Sequence, residues 1–84
     1  MTAWLGIDVS KDRLDVLLLA DGRRRPKAFR NDAAGHRALI AWIDAKGVHA
    51  CMEATGRYGE AAALALLDAG HAVSVVNPFQ IKSF

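Results

Sequence analysis

The sequence predicts an α/β fold with one mixed five-stranded sheet, helices on its faces and the order β-β-β-α-β-α-β. Two observations carry this prediction. The first part of the chain holds three short apolar or alternating runs joined by tight turns, which is typical of antiparallel hairpins. The second part alternates helical segments with short apolar runs, which is typical of right-handed crossovers between parallel strands. We therefore expect the first strand to be central, flanked by the second and fourth.

The first three strands are predicted from their apolar runs and the turns between them. The segment Ala3 to Val9 is short and apolar with an acid near its end, and Leu14 to Ala20 is a second run rich in Leu and Val. Asp21-Gly22 is a strong hairpin signal, because glycine tolerates a positive φ. The basic segment Arg23 to Arg30 alternates weakly, which suits a more exposed third strand.

A helix is predicted from Ala33 to Lys46, with Asn31-Asp32 as its cap and Gly47 as a left-handed C-cap. Its apolar residues recur at helical spacing: Leu39, Ile40 and Ile43.

The remaining elements are a strand, a helix and a strand. Val48 to Met52 is a short strand that ends at Glu53, and a helix of small residues and leucines follows from Gly59 to Ala69. Ala72 to Val76 is the fifth strand, and Asn77-Pro78 ends it.

Composition narrows the class of protein. With 84 residues, 52% of them hydrophobic, the chain forms one small domain with a core. No apolar run approaches the roughly 20 residues that span a bilayer, so we expect no membrane partner. A single cysteine excludes an intrachain disulfide and fits a cytoplasmic location. A net charge of +2 and a pI near 9.0 permit nucleic acid binding without requiring it.

Two acids are placed where ligands usually bind. Asp8 and Glu53 lie at the ends of the first and fourth predicted strands, so parallel neighbours would bring both to one edge of the sheet. Two carboxylates there repel each other unless a cation lies between them, and their oxygens favour Mg²⁺ or Mn²⁺. A purely structural alternative stays open, in which each acid ends a strand and faces water.

Four segments in series resemble the N-terminal motifs of the DEDD transposases of insertion-sequence family one hundred and ten. The resemblance covers nearly the whole chain and keeps the order and spacing of the motifs. The segments are Gly6-Ile7-Asp8-Val9-Ser10-Lys11, Leu14-Asp15-Val16, Met52-Glu53-Ala54-Thr55-Gly56-Arg57-Tyr58 and Val75-Val76-Asn77-Pro78.

The resemblance implies a ribonuclease-H-like, Holliday-junction-resolvase-like domain whose four acids bind divalent metal. Asp8 and Glu53 match the first two acids, so both are predicted to be catalytic and to bind the metal. The other two acids form an Asp-x-x-Asp pair after the Asn-Pro segment, and no such pair occurs before Phe84. We therefore expect residues 1–84 to be the N-terminal fragment of the catalytic domain, truncated before its C-terminal part and inactive alone.

The implied function is metal-dependent DNA strand cleavage and exchange during transposition of an insertion sequence. The family acts with a structured guide RNA and carries a second domain with a catalytic serine. DNA and guide RNA are therefore the expected partners. A homo-oligomer is also expected, because apolar residues near the end of the chain need a packing partner.

Several residues are candidates for phosphate contacts. Ser10 and Lys11 follow the first acid, and Thr55 and Gly56 follow the second. The structural alternatives are turn formation for Ser10 and Lys11, helix capping for Thr55, and a tight turn or close backbone approach for Gly56. The densest basic stretch could follow a nucleic acid backbone, or could protect an edge strand from pairing. It begins with Arg23, Arg24 and Arg25 and continues with Lys27 and Arg30.

Two alternative functions remain open at this point. An actin-like sugar kinase or ATPase shares the strand order, although its first turn favours glycine and Val9-Ser10-Lys11-Asp12 has none. A non-catalytic nucleic-acid-binding module would also accommodate an incomplete set of acids.

Overall fold

A computed structural model describes residues 3–44, 47–53 and 56–76. Its elements follow the predicted order: β1 (Trp4–Val9), β2 (Arg13–Ala20), β3 (Arg23–Arg30), α1 (Ala33–Trp42), β4 (His49–Glu53), α2 (Glu60–Asp68) and β5 (Ala72–Val76).

The strands form one mixed sheet with β1 at its centre. The strand order is β3-β2-β1-β4-β5. β1 pairs antiparallel with β2 and parallel with β4, and β4 pairs parallel with β5. The predicted topology is therefore confirmed, including the two neighbours of the first strand.

The β2–β3 turn has the geometry that its sequence predicts. Asp21 and Gly22 both have positive φ, at 53° and 73°. Two successive positive φ values give a turn whose twist matches that of the flanking strands. The turn sets the register in which Ala20 lies opposite Arg23.

The hydrophobic core lies on one face of the sheet. Alternate strand residues point into it and are buried, including Leu5 and Ile7 of β1 and Met52 of β4. Leu39 of α1 and Leu66 of α2 belong to the same cluster, and the two helices contact each other. Both helices therefore cover the same face, whereas the sequence predicted helices on the faces without assigning a side.

The other side of the sheet is uncovered within the described residues, and we call it the open face. Its β1 residues are Trp4, Gly6 and Asp8, since strand residues alternate between faces. Trp4 is 46% exposed and Leu19, its partner on β2, is 40% exposed. On its other neighbouring strand, β4, Trp4 stacks on His49, with ring centroids 4.7 Å apart.

The first helix is shorter than predicted. It ends at Trp42 and not at Lys46, because Ile43 adopts an extended conformation while its N–H still donates to the Leu39 carbonyl. This conformation directs Ile43 into the core, where it is buried. Gly47 has a φ of 66° but follows the end of the helix by several residues, so it is not the predicted C-cap.

Asp32 caps α1, and its carboxylate accepts a hydrogen bond of 2.7 Å from the Gly35 N–H. Gly59 is the N-cap of α2, which begins at Glu60 and ends at Asp68. Within the described ranges, neither helix has the length and hydrophobicity that crossing a membrane requires.

Candidate functional site

Asp8 and Glu53 form the last described pair of the parallel β1–β4 ladder. Both residues are exposed. Residues directly opposite each other on neighbouring strands project from the same face, and the strands are about 4.8 Å apart. The structure therefore places Asp8 and Glu53 side by side at the carboxyl edge of the sheet, as the sequence predicted.

The surroundings of this pair provide no ion-pair partner among the described residues. In the part of the chain that the structure describes, neither acid forms an ion pair with a basic side chain. The same residues contain no group of three or more metal-ligating side chains. Carboxylate oxygens are ligands that divalent ions accept, so Asp8 and Glu53 could hold such an ion as two of its ligands without completing its coordination shell.

A third acid lies in the same row and was not singled out from the sequence. Asp15 of β2 is the register partner of Asp8 on the side opposite Glu53. Its carboxylate is held by Arg13, whose Nε and Nη2 each lie 2.9 Å from Oδ1. The sequence did contain a signal, because Asp8 and Asp15 are equidistant from the centre of the β1–β2 turn. Arg13 therefore neutralises one acid of a row in which neither Asp8 nor Glu53 has an ion-pair partner among the described residues.

The β1–β2 turn contains the first pair of predicted phosphate contacts. The Ser10 hydroxyl donates to the Arg13 carbonyl at 3.0 Å, and the Ser10 N–H donates to the same oxygen at 2.9 Å. Ser10 therefore stabilises the turn with its hydroxyl. Lys11 is exposed near the tip of the turn, two residues beyond the end of β1.

The loop after β4 contains the second pair. Thr55 lies outside the described residues. Gly56 has a φ of 94°, a conformation that side chains rarely adopt. Gly59, the N-cap of α2, packs so closely that a Cβ would lie 2.5 Å from the Met52 sulfur. The small residue therefore lets α2 start directly against the strand that carries Glu53.

The basic stretch on β3 divides between the two faces of the sheet. Arg24 lies opposite Leu19 on the open face, whereas Arg25 lies opposite the buried Leu18. Arg25 is engaged on the helix side, 5.0 Å from the Trp42 ring centroid and 3.7 Å from Asp44. The three arginines therefore do not form a single surface.

The family model for DEDD transposases of the IS110 type, described as Transposase, matches residues 5–84. The chain belongs to this transposase family. Membership agrees with the resemblance seen in the sequence motifs, and it does not favour the actin-like alternative.

Two curated relatives are similar to almost the entire chain. The pilin gene-inverting protein of Moraxella bovis is 33% identical over 86 residues, and that of Moraxella lacunata is 31% identical over 86 residues. Each alignment covers 96% of this chain and 27% of the relative. The chain therefore spans little more than a quarter of the length of these relatives.

A solved structure confirms the fold class. Thermus thermophilus RuvC, determined in complex with a Holliday junction substrate, aligns with a TM-score of 0.63 at 14% identity. The alignment covers 99% of this chain and 69% of RuvC. At this identity the likeness shows the ribonuclease-H-like fold.

Proposed function

We propose that the full-length protein is a transposase that cleaves and exchanges DNA strands during transposition of an insertion sequence. Asp8 and Glu53 bind the Mg²⁺ or Mn²⁺ that this cleavage requires. One observation carries the proposal: two exposed carboxylates pair at the carboxyl edge of adjacent parallel strands in a chain of a transposase family. A structural role would not require the acids to lie side by side.

The chemistry of the pair follows from its charge. Two adjacent carboxylates repel a DNA phosphate, so the site can approach its substrate only when a cation offsets that charge. A bound divalent ion supplies an electrophile for phosphate oxygens and activates the attacking oxygen. Asp8 and Glu53 would hold the ion in a fixed position, because they lie at rigid strand ends, which place ligands more accurately than loops do.

Two carboxylates are too few for a complete site. Mg²⁺ gives up its water reluctantly, and each missing acid removes charge that would offset this. We therefore propose that residues 1–84 bind Mg²⁺ weakly and do not cleave DNA alone, and that further acids of the full-length protein complete the site.

DNA, a structured guide RNA and a second copy of the protein are the proposed partners. We expect exposed basic side chains beside the acids or on the open face to contact the nucleic acid. Lys11 sits in the turn directly after β1, and Arg24 lies on the open face. Arg23 is exposed beside the β2–β3 turn, while Arg25 serves mainly to hold Trp42 and Asp44.

The proposal is tested by DNA cleavage and recombination assays on the full-length protein with conservative variants. Asp8→Asn and Glu53→Gln remove the charges but keep the shapes, and each should lower the rate by about 10²–10³-fold, as losing a key electrostatic group does. Asp68→Asn, an exposed acid at the end of α2, is the matched control and should retain activity. Circular dichroism should show unchanged folding, and full activity of Glu53→Gln would remove Glu53 from the site.

A further inference from the structure

Asn31 lies between β3 and α1 and is tied to the β1–β2 turn through its backbone. Its N–H donates to the Asp12 carbonyl at 3.0 Å. The neighbouring Asp32, not Asn31, caps α1. The Asn31 side chain is therefore free of the capping role that the sequence assigned jointly to Asn31-Asp32.

The Asn31 amide connects two loops that are far apart in the sequence. Nδ2 donates to the Ser10 carbonyl at 2.9 Å and to the Tyr58 carbonyl at 2.7 Å. Ser10 follows Asp8 by two residues, and Tyr58 follows Glu53 by five. One side chain thus joins the segment that leaves the first acid to the segment that leaves the second.

His36 of α1 fixes the orientation of this amide. Its Nε2 lies 2.8 Å from Oδ1 of Asn31, and the ring is only 8% exposed. Since both Nδ2 hydrogens point at carbonyls, Oδ1 must accept, and Nε2 of His36 carries the proton. A flipped amide would set its oxygen against the Ser10 and Tyr58 carbonyl oxygens, with no donor between them.

The bridge matters because it lies next to the two acids in both segments. Asp8 and Glu53 are the last register pair between β1 and β4 among the described residues. The carboxylates also repel each other when no cation is bound. The Asn31 bonds hold the segment after Asp8 and the segment after Glu53 to one side chain, and so oppose this repulsion.

We infer that Asn31, oriented by His36, is a positioning residue that sets the separation of Asp8 and Glu53 for the metal-dependent reaction. The inference rests on the proposed function of that pair. Asn31 touches neither acid in the described contacts, and it acts through the two loops. Outer residues that orient metal ligands typically account for 10–100-fold in metal affinity or activity.

The central test is Asn31→Asp in the full-length protein. The substitution keeps the shape and the acceptor for His36 but sets a carboxylate oxygen against the Ser10 and Tyr58 carbonyls, which should push the loops apart. We expect Mn²⁺ binding, followed by electron paramagnetic resonance, to weaken about 10-fold, and kcat to fall while KM for DNA is unchanged. The added negative charge alone would strengthen cation binding, so weaker binding reports altered geometry.

A second pair of variants keeps the test valid if Asn31→Asp fails to fold. His36→Gln retains a donor at the place of Nε2 and should stay near wild type, whereas His36→Phe removes it and should weaken Mn²⁺ binding. His49→Phe is the matched control. His49 also has a side-chain bond, to Ser74 at 2.7 Å, but lies at the opposite end of β4, so its loss should leave Mn²⁺ binding unchanged.

The possible outcomes separate the inference from the proposed function. Wild-type binding and kcat in Asn31→Asp or His36→Phe, with Glu53→Gln inactive, would overturn the inference and leave the proposed function standing. Variants that lose only thermal stability would overturn it in the same way. A wild-type protein that binds no Mn²⁺ and cleaves no DNA would overturn both.

Discussion

Asp8 lies directly opposite Asp15 in the antiparallel β1–β2 pair, so two like charges face each other across the hairpin. Such pairs are destabilising by about 0.2–1 kcal/mol, and Arg13 offsets part of the repulsion by holding Asp15. On its other side Asp8 faces Glu53. Asp8 is therefore the centre of a row of three acids, and the repulsion within this row opposes folding.

This row predicts the sign of one stability change. Asp8→Asn should raise the free energy of unfolding of the metal-free chain by about 0.2–1 kcal/mol, because it removes two repulsions and breaks no ion pair among the described residues. Asp15→Asn should change it less, since it also breaks the ion pair with Arg13. Urea unfolding measures both values, and a clear destabilisation by Asp8→Asn would show that the carboxylate holds the sheet edge together.

Close packing at the start of α1 predicts a second change. A Cβ on Gly35 would lie 1.8 Å from the Arg30 carbonyl oxygen, so backbone must shift. Helix propensity alone would favour Gly35→Ala by about 1 kcal/mol. We expect the opposite sign, a loss of about 1–3 kcal/mol from overpacking. The control Ala38→Gly, at an exposed position of α1, should cost about 1 kcal/mol, and a stabilising Gly35→Ala in the same urea titration would refute the close contact.

The buried His36 predicts a pH dependence of stability. Burial lowers the pKa of His36 from its usual 6.5, and nearby Asp32 opposes this in part. The unfolded chain therefore takes up a proton at a higher pH than the folded chain does. The stability that neutral His36 contributes is present above pH 6.5 and is lost as pH falls through the lower folded pKa. The free energies of unfolding of wild type and His36→Gln should therefore differ less at pH 5 than at pH 7.5. A difference that does not change with pH would contradict the lowered pKa of His36.

The division of the basic strand predicts different roles for neighbouring arginines. Arg24→Gln should weaken DNA binding by the full-length protein and reduce the salt slope by about 0.9, as expected for one lost phosphate contact. Arg25→Gln should change the slope less and lower stability instead, because Arg25 packs on Trp42. Binding isotherms at several salt concentrations, with thermal melts, separate the two. Identical salt slopes for both variants would mean that Arg24 and Arg25 contribute equally to DNA binding, although they lie on different faces of the sheet.

The sheet could be predicted from the sequence because the patterns that determine its strands and turns lie within short stretches of the chain. Alternating burial and the Asp21-Gly22 turn determine the strands and the hairpin, and the strand order follows from short connections. The pairing of Asp8 with Glu53 followed from the same reasoning, since both acids end parallel strands.

Other features depend on tertiary contacts that no local pattern encodes. The end of α1 is set by Ile43, which leaves the helix to enter the core. The placement of both helices on one face is decided by packing between elements. Asn31 looked like a helix cap because Asn is favoured there, and only the fold shows that its amide reaches Ser10 and Tyr58.

Mn²⁺ binding to the full-length protein without DNA tests most directly whether Asp8 and Glu53 share a cation. Wild type should bind, and Asp8→Asn or Glu53→Gln should each weaken binding by at least the roughly 10–100-fold that loss of a supporting residue costs. The double variant should bind little more weakly than either single one, because two ligands of one ion are coupled and their effects do not add. Equal Mn²⁺ affinity in wild type and the double variant would contradict the shared site.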